Sequence, residues 1–163
     1  MITQSLFYLL LGMCACGASP LSEYERKIVA ATLVLEAGNE GVEGMKAVLN
    51  VIHNRSGDKL KKIVPTTVKY GQFSSLNSVT HKRNPDYSPI LRKAYRHRGF
   101  NKAIQLVRRL ERGKLKDNTF GATHFHSTDI DPPYWTDSTD YLTTIGKHRF
   151  YVDRMMGIQS NNL

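Results

Sequence analysis

The stretch Val34 to Arg55, VLEAGNEGVEGMKAVLNVIHNR, constrains this chain more than any other. Two apolar helical patterns meet across Gly38-Asn39-Glu40-Gly41, and three glutamates, Glu36, Glu40 and Glu43, surround that turn. Upstream, Ile28, Val29, Ala31, Leu33 and Leu35 carry the apolar surface of a helix opened by a capping box, Ser22-x-x-Glu25. Downstream, Met45, Val48, Leu49 and Ile52 recur at helical spacing until Ser56-Gly57 stops them. At 100° per residue Glu36 falls on the face of Val29, Thr32 and Leu33, so the first helix ends on an inward-pointing acid. Desolvation there raises a carboxyl pKa, and a glutamic acid kept protonated can give its proton to a leaving oxygen. A helix-end glutamate paired with Lys or Arg is the other reading of the same position. Glu40 stands where a second helix begins, a place that favours negative charge, and Glu43 lies in its solvated first turn.

The remaining pattern places these helices in one domain. Residues 58 to 87 read as irregular; Ser88-Pro89 reads as a cap and a first-turn proline opening a helix to about Arg98. Another helix runs from Asn101 to Arg112. The period then changes: Thr119 to Ser127 and Thr144 to Val152 alternate and are rich in Thr and aromatics, as short strands are, with a loop between. The expected fold is α+β, mainly α-helical, a single domain with a small β element near its C-terminus.

Charge and the N-terminus bear on where such a domain works. The chain carries 23 Lys+Arg against 14 Asp+Glu, a net +9, which draws a protein to polyanions. Leu6 to Ser19 is apolar and ends in small residues, too short for a bilayer span of about 20 residues. It suits a signal peptide cleaved after Ala18, leaving residues 19–163 as an exported domain. A retained apolar helix, or a lipid anchor at Cys16, are the alternatives. Both cysteines, Cys14 and Cys16, fall in this leader. The basic run Arg92 to Lys116 fits amphipathic helices whose outer faces suit an anionic wall polymer; no nucleic-acid-binding module accompanies it.

The segment EAGNEGVEGMKAVLNVIHNR resembles the opening signature of the spore-cortex-lytic type of cell wall hydrolase family. YGQFSS (Tyr70 to Ser75) matches that family's Gly-Gln-Phe-Ser element, and HFH…PPYW (His124 to Trp135) and GKHRFY (Gly146 to Tyr151) follow it more loosely. The resemblance implies a lysozyme-like, lytic-transglycosylase-like domain that cuts the MurNAc–GlcNAc bond of peptidoglycan, as a monomer without metal or other cofactor. Carried onto this sequence, Glu36 is the single acid/base. Gln72, Ser74, Tyr134, Trp135 and Tyr151 are candidate sugar contacts, and Asn50 and Arg55 tie helix to loop. A two-carboxylate glycosidase would instead need a second acid about 5–9.5 Å away, with Glu40, Asp129 and Asp131 as candidates.

The histidines depart from the family pattern. His124 and His126 share one strand face by period two, and are candidate sugar contacts or ordinary hydrogen-bonded residues. Together with His148 and an acid such as Asp129 they could instead bind zinc in an amidase or peptidase of the stem peptides, though no fixed-spacing zinc motif is present. A basic binding protein without catalysis is the third class.

Overall fold

The computed structural model describes residues 21–154; the expected leader and its two cysteines lie outside the described residues. Helix α1 (Glu23–Ala37) begins at the Ser22/Glu25 capping box, in which each side chain accepts the other's backbone N–H. Leu33, Val29, Ala30 and Ala31 are wholly buried, because α1 is the central rod around which the other helices pack. A 3₁₀ turn (Gly38–Glu40) leads into α2 (Gly41–Arg55), which has two apolar faces. Met45, Val48, Leu49 and Ile52 join α1 in the main core; Ala47 and Val51 form a second cluster with Ala122 and Phe150 beneath the sheet. Helix α2 is thus shared by the helical core and the β element.

The region read as irregular holds two short helices, α3 (Ile63–Val68) and α4 (Asn77–Thr80). Pro65 is tolerated in α3 because it sits in the first turn, where its missing N–H has no intrahelical partner anyway. Helix α5 (Ser88–Tyr95) is shorter than expected and Ser88 does not cap it. Asp86 takes that part, accepting the Ser88 N–H at 2.9 Å. Helix α6 (Phe100–Glu111) lays Ala103, Ile104, Val107 and Leu110 on the core.

The sheet departs most from expectation. Strand β1 is only His124–Ser127, and the segment read as one strand from Thr144 is a hairpin. Strand β2 (Thr139–Ile145) and β3 (His148–Asp153) flank Gly146-Lys147, and β2 begins inside the stretch read as loop. Gly146 takes φ +57°, the left-handed region that tight hairpin turns need. All pairings are antiparallel in the order β1-β3-β2, with His124 opposite Tyr151 and Ser127 opposite His148.

Candidate active site

Glu36 occupies the last turn of α1, half-buried in the wall of a cleft of about 290 Å³. The loop before α4 approaches it: the Ser75 N–H donates to Glu36 Oε1 at 3.0 Å, and the Ser74 hydroxyl lies 3.5 Å from the same oxygen. One carboxylate oxygen is therefore fixed by a backbone donor. No Lys or Arg forms an ion pair with Glu36 among the described residues, so the paired helix-end reading does not describe this acid.

The other acids of the cleft are engaged. Glu40 precedes α2, but its side chain does not cap the helix; its Oε2 accepts the Lys147 N–H at 2.9 Å and so clasps the β2–β3 turn. The clasp requires glycine at 146, since a Cβ there would collide with Glu40 Oε2. Asp129 pairs with the Lys147 ammonium at 3.1 Å. Asp131 is exposed and lines none of the cavities described below. Glu43 is exposed, as expected for a first-turn acid, and bonds Lys46 and Asn118.

A second cavity of about 260 Å³ is lined by Arg55, Gln72, His124, Phe125 and Trp135. Loop 71–75 joins the two, with Gln72 in this cavity and Ser75 on Glu36. Trp135 lies half-buried against His124 and His126, with ring centroids 5.3 and 5.8 Å apart. Tyr134 is 90% exposed and lines no described cavity. His126 and Tyr151 are buried behind Trp135, stacked on each other, with the Tyr151 hydroxyl 3.0 Å from His126 Nε2. They are placed to support the tryptophan and line none of the described cavities, unlike Trp135 and His124. Asn50 and Arg55 do tie helix to loop, through Lys116 O and Asn118 for the first and Thr123 O and Gln72 for the second.

The zinc alternative fails on register. His124 and His126 share the outer face of the sheet with Tyr151, whereas His148 pairs with Ser127 on the inner face beside Phe125 and Phe150. Period-two alternation therefore points it away from the other two. Among the described residues no three His, Cys, Asp or Glu side chains converge as a metal site would need.

Four cleft residues stand outside the expected site: Ser75 and Lys147 lie within the YGQFSS and GKHRFY segments without being singled out there, and Lys93 and His97 carry no motif. Ser75 contributes a backbone N–H, and Lys93 and Lys147 come from distant elements. His97 reaches the cleft because Gly38 has no side chain; a Cβ there would lie 2.7 Å from the ring. The Gly99 N–H donates to His97 Nδ1 at 3.0 Å, which in the neutral ring leaves the proton on Nε2.

Burial, first of all, lowers the pKa of both His124 and His148; Arg55 lowers that of His124 further, while Glu40 and Glu36 partly oppose the shift of His148. A histidine whose folded pKa lies below its ordinary 6.5 binds more protons when unfolded. Stability present above pH 6.5 is thus lost as pH falls through the folded values. Thermal melts should be flat above about pH 7 and decline towards pH 5, and less steeply in His148→Asn. Parallel declines in the two proteins would remove His148 as a cause.

The chain resembles the catalytic domain of the germination-specific lytic transglycosylase SleB from Bacillus anthracis, at 20% identity and a TM-score of 0.58, covering 80% of this chain and 96% of that one. The Bacillus cereus SleB catalytic domain aligns at 20% identity and a TM-score of 0.57, covering 80% and 91%. These likenesses show a shared fold. No curated protein matches the chain. The family described as Cell Wall Hydrolase matches residues 39–151, starting three residues after Glu36. A match over that much of the chain, which takes in the YGQFSS loop and all but the end of the hairpin, places this protein in the cell wall hydrolase family.

Proposed function

We propose that this enzyme cleaves the MurNAc–GlcNAc bond of peptidoglycan as a lytic transglycosylase, with Glu36 as its only acid/base. The observation that carries this reading is the state of the cleft acids. Glu36 has one oxygen held by the Ser75 N–H and no cationic partner among the described residues, while Glu40 and Asp129 are committed to the β2–β3 turn. Most glycoside hydrolases use a second carboxylate to activate water or attack the sugar; a transglycosylase takes its nucleophile from the substrate. Glu36 protonates the glycosidic oxygen as the bond to C1 breaks. The resulting carboxylate then removes the proton of the sugar's 6-hydroxyl as O6 bonds to C1, closing a 1,6-anhydro ring and restoring the acid. The chain shares its fold with the catalytic domain of a germination-specific lytic transglycosylase, which agrees with this reading. Gln72, Ser74, His124 and Trp135 line or border the path of the strand. Action on wall glycan implies export, and a monomer suffices for the chemistry.

The test is the product. Purified peptidoglycan digested by the protein should yield muropeptides ending in 1,6-anhydro sugar by mass spectrometry. Reducing ends would sink the transglycosylase reading, and free stem peptides the glycosidase reading. Glu40→Gln supplies a second check, because its amide oxygen can still accept the Lys147 N–H. Its activity should stay within about threefold of wild type; a loss beyond about 100-fold would make Glu40 a catalytic partner.

A further inference from the structure

Arg55 is more than a tie between helix and loop. A guanidinium has five N–H donors. Here Nε donates to Thr123 O and Nη1 to Gln72 Oε1 at 3.3 Å, and no other hydrogen bond of the group exists among the described residues. Three N–H groups are therefore left without a hydrogen bond among the described residues, and Arg55 lines two cavities, of about 260 and 310 Å³. The charge is answered only at longer range, by the Phe73 ring, whose centroid lies 5.6 Å from the guanidinium carbon, and by Asp153. Asp153 is the one acid lining either cavity; it makes no ion pair with Arg55 within 4.0 Å and instead stands 4.0 Å from His124. Lys69, exposed and with its ammonium bonded to nothing described, adds a second cation to the wall. Burial also depresses the Arg55 pKa to about 10, with Asp153 opposing the shift. Retaining such a cation at the edge of a cavity makes sense where an anion completes it.

We infer that the Arg55 cavity is a carboxylate subsite, which grips an acidic group carried by the polymer while Glu36 works on the glycosidic bond. This rests on the proposed glycosidase reading. Loop 71–75 couples the two places, since Gln72 accepts from Arg55 and Ser75 donates to Glu36. An anion on Arg55 therefore holds the strand and braces the loop that holds the acid. Trp135 forms one wall of the cavity, an apolar surface for a ring or aliphatic stem beside the charged group. In peptidoglycan the carboxylate comes from the stem peptide or, where the stem is removed, from the lactyl group.

The experiment compares kcat/KM on three substrates: native peptidoglycan, the same material with carboxyl groups converted to amides, and stem-stripped glycan with its free lactyl carboxylates. Wild type should prefer native over amidated substrate by about 10- to 100-fold, as a charge-assisted contact gives. Arg55→Gln should bring that ratio to within about twofold of unity. Lys69→Gln, on an exposed side chain whose loss leaves the melting temperature unchanged, should reduce it by a few-fold. An Arg55-dependent preference for stripped glycan over amidated substrate assigns the site to the lactyl carboxylate; its absence assigns it to the stem. Equal rates of wild type on native and amidated substrate would overturn the subsite and leave the glycosidase standing. So would an Arg55→Gln loss that is equal on both substrates. Failure of wild type to cleave any of the three would instead overturn the glycosidase reading itself.

Discussion

Glu36→Gln should abolish cleavage, lowering turnover by at least about 100-fold and up to about 10,000-fold, the range general acid–base catalysis supplies. The substitution is chosen to remove one property only. Glutamine keeps the shape of the side chain, and its amide oxygen can still accept the Ser75 N–H that now holds Glu36 Oε1. What it cannot do is give a proton to the leaving oxygen or take one from the 6-hydroxyl. In the single-acid reading both steps pass through this carboxyl, so no remaining group replaces it: Glu40 is turned to the Lys147 N–H and Asp129 to the Lys147 ammonium. Binding should survive, because Gln72, His124, Trp135 and Arg55 lie along the adjoining cavity. The measurement is release of soluble muropeptides beside co-sedimentation with intact walls. Residual turnover within tenfold of wild type, with the fold intact by circular dichroism, would remove Glu36 from the centre of the reaction.

The helical body was legible because its signals are local. The Ser22/Glu25 capping box, the 3.6-residue apolar period of α1 and α2 and the glycines between them each act within a few residues. The same period placed Glu36 facing inward at a helix end, which is where it stands. The sheet was read poorly for the opposite reason. Whether Thr144 to Val152 is one strand or a hairpin depends on Gly146 adopting a positive φ, and that is favoured by a clasp from Glu40, more than a hundred residues earlier. Likewise Tyr151 alternates as a groove residue would, yet Trp135 and Tyr141 pack edge-on against it and cover it. His97 carried no sequence signal, because what admits it to the cleft is the missing side chain of Gly38 on another helix. In each case the missing information was a contact between segments distant in sequence.

The helix that presents Glu36 is anchored at its far end by an ion pair whose loss should have the largest effect on stability. Arg26, in the first turns of α1, donates from Nε and Nη2 to the two carboxylate oxygens of Glu111 at the end of α6, at 2.9 and 3.1 Å. Their side chains are only 8% and 6% exposed, and Arg26 also donates to Leu21 O and Glu23. Glu111→Ala leaves a guanidinium in a space from which water is largely excluded. Breaking a buried pair from one side in this way costs about 3–5 kcal/mol. At about 2–4 °C per kcal/mol for a chain of this size, the melting temperature should fall by roughly 10 °C. Glu23 moderates the loss, since it is 55% exposed and already bonds Arg26, but it lies on the outer side of the group and cannot fill the Glu111 position. The double variant Arg26→Met, Glu111→Leu separates charge from packing. If the penalty of the single change is the lost charge compensation of Arg26, removing both charges should recover most of the lost stability. If the double variant is as unstable as Glu111→Ala, the pair contributes through the shape of its bidentate contact, and apolar side chains do not reproduce it. In either outcome Glu36 stands at the other end of the same helix, so turnover measured well below the melting temperature should change little. A loss of activity in the folded variant would mean that α1 shifts as a rod when its N-terminal anchor is cut.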